Sequence, residues 1–296
     1  MTKKQQYLAW PEVVKFTTFL SEVIKGKTHL NHHINIRDRR VPAGMKKGRL
    51  QIDSLQQAFE NYWWDRERFD VNAKKLEKVQ KIVRDAIDME SAIDGTRHAL
   101  GALHAVLEWG AGGTGQKLYT SNMAWARNAG DSITRRLAIG RQIMSDDDPN
   151  VTPFDDDDGP RMNAGVTKYY SLACDGVLIY DGRVGAALGY LVREFCISHG
   201  LVLVPEPLAF RWGAQNSSLP HAALNRDPSL GNFNFHRLPP SGKSKWATWN
   251  IHANWVIQAA REQANADWCG GPGGLRRIEA ALFVIGYELP ESAQHQ

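Results

Sequence analysis

Cysteine is scarce in this chain, long apolar runs are missing, and strand-like segments are few and short. Each shortage excludes something. Cys174, Cys196 and Cys269 are the only cysteines, far apart and without a Cys-x-x-Cys pair. A disulfide framework is therefore not expected, nor a zinc or iron–sulfur site built of thiolates, and three buried neutral thiols are. The longest apolar stretches, such as Leu201 to Val204 and Ala280 to Ile285, fall far short of the ~20 residues a membrane helix needs. Met1-Thr2-Lys3-Lys4-Gln5-Gln6 lacks the apolar core of a signal peptide. The expectation is a cytoplasmic protein with no membrane partner. No internal repeat is visible, and no obligate protein partner is implied.

What is present is enough apolar residue to bury a core: 43% of 296 positions, sufficient for one large domain or two sharing an interface. The net charge of +4 says little, but its distribution says more. Between Lys25 and Arg49 stand Lys25, Lys27, Arg37, Arg39, Arg40, Lys46, Lys47 and Arg49 against one acid, Asp38. Between Asp146 and Asp158 stand seven aspartates and no base. A polyanion would meet the first stretch and avoid the second.

Apolar periodicity predicts a mainly α protein. Pro11 to Lys25 reads as a helix with Val13, Phe16, Leu20 and Val23 inward and Gly26 at its end. The basic segment 25–49 reads as a loop or arm. Asp53 or Ser54 can cap a helix to about Asp65, and further helices are expected over about 73–88, 96–109 and 131–144. Gly110-Ala-Gly-Gly-Thr-Gly115 lacks the Lys-Ser/Thr pair of a phosphate loop and follows a helix rather than a strand, so it reads as a connection. The aspartate run reads as a solvated loop, since it lacks the glycine offset of a calcium loop. Helices are expected again from Thr167 to Cys174, 183 to 198, 252 to 264 and 275 to 286. Val177 to Tyr180 and Leu201 to Val204 read as short extended pieces, and 205–250 as irregular. His29, His32 and His33 fall inside the basic segment, where nucleic-acid contact or no role at all is a better reading than metal. No metal and no cofactor are expected.

The chemistry concentrates in Asn163-Ala-Gly-Val-Thr-Lys168 and Cys174-Asp-Gly-Val-Leu-Ile-Tyr-Asp-Gly-Arg183. A glycine turn opens a helix there, and the N–H groups of such a helix start suit a phosphate. Lys168 falls in the first turn, where the dipole disfavours a charged lysine, as a nucleophilic amine requires. Asp181 begins the next helix at a cap position. On spacing alone, a solvated lysine and a helix cap read these residues better than catalysis does.

Gly165-Val166-Thr167-Lys168 followed by Ile179-Tyr180-Asp181 resembles the signature of the helix–hairpin–helix DNA glycosylases, particularly the 8-oxoguanine glycosylase branch. Ile179-Tyr-Asp-Gly-Arg-Val184 is similar to bacterial proteins of that fold, some linked to anti-phage defence. The resemblance covers about 155–200. Met162-Asn163-Ala164-Gly165 replaces the family's Leu-Pro-Gly, and the linker from Lys168 to Asp181 is shorter than usual. The resemblance implies two helical lobes with a helix–hairpin–helix core, few strands and a DNA-facing cleft. It implies an N-terminal helix and basic arm over 1–50, a glycosylase-like helical domain over 51–296 and an aromatic-rich lobe from 205. Lys168 then takes the part of the amine nucleophile, and Asp181 the carboxylate that assists at the sugar.

A glycosylase breaks the bond between C1′ and a base while positive charge grows on the sugar, which a carboxylate stabilises. An amine attacking C1′ gives a Schiff base and permits strand cleavage. The expected partner is double-stranded DNA carrying a modified base. That base is either a hypermodified cytosine of phage DNA, such as glucosylated hydroxymethylcytosine, or an oxidised base met in repair. A silent DNA-binding module of the same fold is the competing expectation. Expected DNA contacts are Gly165, Thr167, Arg183, Arg39, Arg40, Lys46 and Lys47. A flipped base must be held between aromatic faces, and Trp212, Phe235, His236 and Trp246 are the candidates for that pocket.

Overall fold

A computed structural model describes residues 1–38, 40–215, 224–239 and 243–290, and within them the chain is mainly helical, as the sequence predicts. The helices are α1 (Lys3–Leu8), α2 (Pro11–Ile24), α3 (Leu55–Glu60), α4 (Phe69–Asp88), α5 (Gly95–Ala111), α6 (Lys117–Asn128), α7 (Ile133–Ser145), α8 (Val166–Ala173), α9 (Gly182–Ser198), α10 (Lys243–Ala264) and α11 (Gly274–Ile285). Among the described residues, the sheet structure is one antiparallel pair, β1 (His32–Ile36) with β2 (Gly48–Ile52). No helix of the described residues is long and apolar enough to cross a membrane. The chain forms two compact units: Met1–Phe69, Tyr180–Leu238 and His252–Gln296 make the first, Asp70–Ile179 and Pro239–Ile251 the second.

In the first unit, α2 starts on Pro11, buries Val13, Phe16, Leu20 and Val23, and stops before Gly26, whose φ of +74° suits only glycine without strain. Phe16 meets Phe195 of α9 at 5.5 Å between ring centres. The basic segment is not a plain arm. His32 pairs with Ile52 and Ile36 with Gly48, and His32, Ile34 and Ile36 point inward while His33 and Asn35 face out. That period-two pattern was hard to see because it spans five residues and its partner strand lies beyond a basic loop. Ser54 caps α3 by accepting from the Gln57 N–H at 3.1 Å. This helix ends at Glu60 rather than near Asp65: Asn61 is its C-cap, and Asp65 (φ +46°) and Arg66 (φ +70°) belong to a separate tight turn bridged by Trp64 and Glu67. Gly182, Gly185 and Gly189 make a smooth face on α9. A Cβ at 182 would lie 2.7 Å from the Gly213 Cα, and one at 189 would lie 2.6 Å from Pro228. Close seating of the 211–213 and 228–235 segments on this helix needs those glycines. α11 packs against α3 and α9 and carries the buried Ile278, Leu282 and Ile285.

In the second unit, α5 packs against α6, α7 and α8. Gly112 (φ +73°) ends α5, its N–H returning to the Glu108 carbonyl. α6 follows the glycine run directly and was not foreseen, since its buried positions are only Asn122, Met123 and Ala126, too few for an apolar stripe. Glu90 and Arg141 form a two-point ion pair, 2.5 and 2.8 Å, and the same guanidinium donates to the Tyr169 hydroxyl at 3.1 Å. All seven aspartates of 146–158 are exposed, in a loop anchored by the fully buried Phe154 and by the contact of Arg136 with Asp158 at 2.7 Å. The three cysteines are free and buried, and burial pushes each thiol above its usual range, Cys196 to about 11.

Candidate functional site

Lys168, Gly165, Thr167 and Trp246 belong to the second unit. Asp181, Arg183, Arg40, Lys46, Lys47, Trp212, Phe235 and His236 belong to the first. Arg39 lies outside the described residues.

The start of α8 is built around Asn163. Its Oδ1 accepts from the N–H groups of Gly165 (2.8 Å) and Val166 (3.1 Å), and its amide donates to Asn122 Oδ1 at 2.8 Å. The chain's own side chain thus holds N–H groups that the sequence reading offered to a phosphate. Gly165 is buried, and a Cβ there would lie 2.5 Å from the Asn122 amide and 3.0 Å from Leu107. Thr167 is fully buried and donates from Oγ1 to Asn250 Oδ1 at 2.7 Å. Both residues serve the packing of α8, and neither reaches the surface. Lys168 is 7% exposed, and its Nζ donates to the Ala164 carbonyl at 2.6 Å. Its stem lies across Gly110 of α5, where a Cβ would overlap Cδ and come within 2.8 Å of Cε. Gly110 therefore makes the groove that holds the lysine. Trp246 is half-buried on the first turns of α10.

Asp181 is the N-cap of α9, with Oδ1 accepting from the Arg183 N–H at 2.9 Å and the Val184 N–H at 3.1 Å. Tyr180 before it is fully buried, its hydroxyl donating to the Arg211 carbonyl at 2.7 Å, which fixes the approach to the cap. The Arg183 guanidinium lies 4.1 Å from the ring centre of Phe283 and 5.2 Å from that of Tyr287. Burial lowers its pKa, and the Asp181 charge opposes that shift. Arg226 is buried, with Nε donating to the Tyr287 carbonyl at 3.4 Å. Burial and then the like charge of Arg183 push it down to about 10. Burial raises the Tyr62 phenol, and the Glu279 and Asp181 carboxylates add to that while Arg183 opposes it. The Tyr287 hydroxyl accepts from the Arg37 N–H at 3.1 Å. That bond ties the base of the β1–β2 loop to this cluster.

The loop presents Arg37, Arg40, Lys46 and Lys47, all exposed. The Arg40 carbonyl accepts from the Arg66 N–H at 2.9 Å, which adds the exposed Arg66 and its neighbour Arg68 to the same basic edge. Sequence reading missed these two, and also Arg226, Phe283 and Tyr287. Nothing local marks them, since they come from three separate stretches of chain. Trp212 (3% exposed) and Phe235 (6%) are packed into the interior of the first unit. The Trp212 indole donates to the Phe235 carbonyl at 3.2 Å, Arg237 covers its ring at 4.9 Å, and His236 is exposed. No family model, no curated protein and no solved structure matches this chain.

Proposed function

We propose that this protein acts on DNA as an N-glycosylase that removes a modified base. Asp181 is the carboxylate that stabilises charge on the sugar and activates the attacking group, and Lys168 is the amine for the lyase variant of the reaction. The observation that carries the reading is the setting of Asp181. One unit joins this carboxylate to arginines on aromatic faces and to an exposed basic loop, the combination that a strand backbone and a displaced base require. The substrate class follows the motif resemblance: a hypermodified cytosine of phage DNA first, an oxidised base second.

A second reading has its own support. Asp181 caps α9 and Lys168 bonds the turn that opens its own helix, as they would in a DNA-binding module without catalysis. An abasic-site assay separates the two. Wild type, Asp181→Ala and Lys168→Ala are incubated with unmodified, oxidised and hypermodified DNA, with borohydride in a parallel set. The glycosylase reading predicts abasic sites in one DNA only, lost in Asp181→Ala. A borohydride adduct that needs Lys168 adds the lyase step. Abasic sites in none of the three, with duplex affinity retained, refute catalysis in favour of the binding module.

A further inference from the structure

We infer that Arg183 and Arg226 together seat one phosphodiester group of a bound nucleic acid, on a floor formed by Phe283 and Tyr287 beside Asp181. The inference rests on the nucleic-acid part of the proposed function. It goes beyond the sequence reading, in which Arg226 had no part.

A guanidinium offers five N–H groups in a planar fork that fits a phosphate with two parallel hydrogen bonds. Among the described residues, Arg183 makes ring contacts and no side-chain hydrogen bond, and Arg226 makes one long bond, to a carbonyl. Neither is among the buried, unpartnered polar groups of the described chain, so their unbonded nitrogens keep some contact with solvent. The nearest acids do not fill them. Asp181 spends Oδ1 on two backbone N–H groups, and Asp38 spends its Oδ1 on the Arg40 N–H at 2.8 Å. Both carboxylates balance charge from a distance without contact.

Tyr287 is the shared anchor, since its ring lies under Arg183 and its carbonyl holds Arg226. Two like charges gathered around one residue repel, and that repulsion adds to the burial that already lowers Arg226. An anion bound between them removes the repulsion and accepts the open donors. The hydroxyl of the same tyrosine holds the base of the basic loop. A backbone seated at Tyr287 therefore continues onto Arg37 and Arg40.

The test is fluorescence anisotropy of a labelled, unmodified duplex over about 50 to about 200 mM salt. It compares wild type, Arg226→Gln, Arg226→Lys and Arg183→Gln, with circular dichroism to confirm folding. Loss of one phosphate contact predicts a log–log salt slope shallower by about 1 and a roughly tenfold weaker complex at the lowest salt. Arg226→Lys keeps the slope while losing part of the affinity, because charge survives and the fork does not. If Arg226→Gln does not fold, Arg183→Gln carries the comparison. A folded variant with wild-type affinity and slope overturns the seat and leaves the DNA reading standing. Wild type that binds no duplex at low salt overturns that reading and the seat with it. A parallel melt with inorganic phosphate reads the remaining case: stabilisation of wild type but not of Arg226→Gln, with duplex binding equal in both, assigns the pair to a free phosphate and overturns the inference as stated.

Discussion

Gly110→Ala isolates the placement of Lys168 without touching the lysine. In the interior of a helix, alanine in place of glycine stabilises by about 1 kcal/mol. At position 110 that gain meets an obstruction, because the new methyl overlaps Cδ of Lys168 and lies 2.8 Å from Cε. The stem must leave its groove, and the bond from Nζ to the Ala164 carbonyl at 2.6 Å goes with it. A hydrogen bond made by a charged donor contributes about 1.5 to 3 kcal/mol. The balance is a net destabilisation of about 1 kcal/mol. With Lys168→Ala already present there is nothing to displace, and the same change should stabilise by about 1 kcal/mol. Urea unfolding of wild type, both single variants and the double variant therefore predicts a coupling of about 2 kcal/mol. The catalytic reading adds that Gly110→Ala loses borohydride trapping as Lys168→Ala does. Gly110→Ala that stabilises by about 1 kcal/mol in both backgrounds would refute the packing of the lysine on α5.

Three further expectations follow from single contacts. His32 is fully buried, its Nε2–H donates to the Ile285 carbonyl at 3.2 Å, and burial pushes its pKa down to about 4. The unfolded chain takes up the proton first, so stability falls as pH drops below about 6.5 and levels near 4. The loss reaches about 3 kcal/mol; urea unfolding at several pH values should show this slope in wild type and a shallower one in His32→Leu. Asn163→Ala removes the oxygen that caps α8 and should cost about 1 to 2 kcal/mol in the same assay, whereas an unchanged midpoint would mean that the cap at 2.8 and 3.1 Å is not holding the helix start. Asp181→Asn keeps a capping oxygen and discards the charge, so it should melt with wild type while Asp181→Ala loses about 1 kcal/mol; base excision that survives in the asparagine variant counts against a catalytic carboxylate.

Much of the helical frame was legible because it is written in local pattern. Val13, Phe16, Leu20 and Val23 announce α2, and Ser54 announces the start of α3. Where the signal was weak, the reading failed for identifiable reasons. α6 buries Asn122 as well as Met123 and Ala126, so no apolar stripe marks it. α1 does carry a local signal, the reciprocal bonds of Thr2 and Gln5, but too few apolar residues to draw notice. α10 begins at Lys243 instead of near 252, inside a stretch whose prolines and asparagines read as irregular. At the site, Asp181 as a helix cap and Arg183 beside it were readable from their spacing. Arg226, Phe283 and Tyr287 were not, since the two aromatics arrive through the packing of α11 on α9 and Arg226 through its bond to the Tyr287 carbonyl, not through any nearness in sequence. The buried, bonded states of Trp212 and Phe235 were hidden as well, because an aromatic residue in an irregular segment reads alike whether it lines a pocket or fills a core.

The two halves of the motif make unequal demands on any chemistry assigned to them. For Lys168 to attack C1′, its amine must give up the Ala164 carbonyl, and the sugar must reach a side chain that is 7% exposed. Both steps cost free energy before any bond forms. Asp181 needs no such release. Its cap bonds use Oδ1 alone and hold the carboxylate fixed in orientation, which is the preorganisation that favours stabilising positive charge on a sugar. Water activated by Asp181 thus asks for less rearrangement than attack by lysine. On the proposed glycosylase reading, the excision step would then fall first to the carboxylate, with abasic sites formed in Lys168→Ala as the expected result. Loss of base excision in a folded Lys168→Ala would reverse that order and make the amine the primary nucleophile.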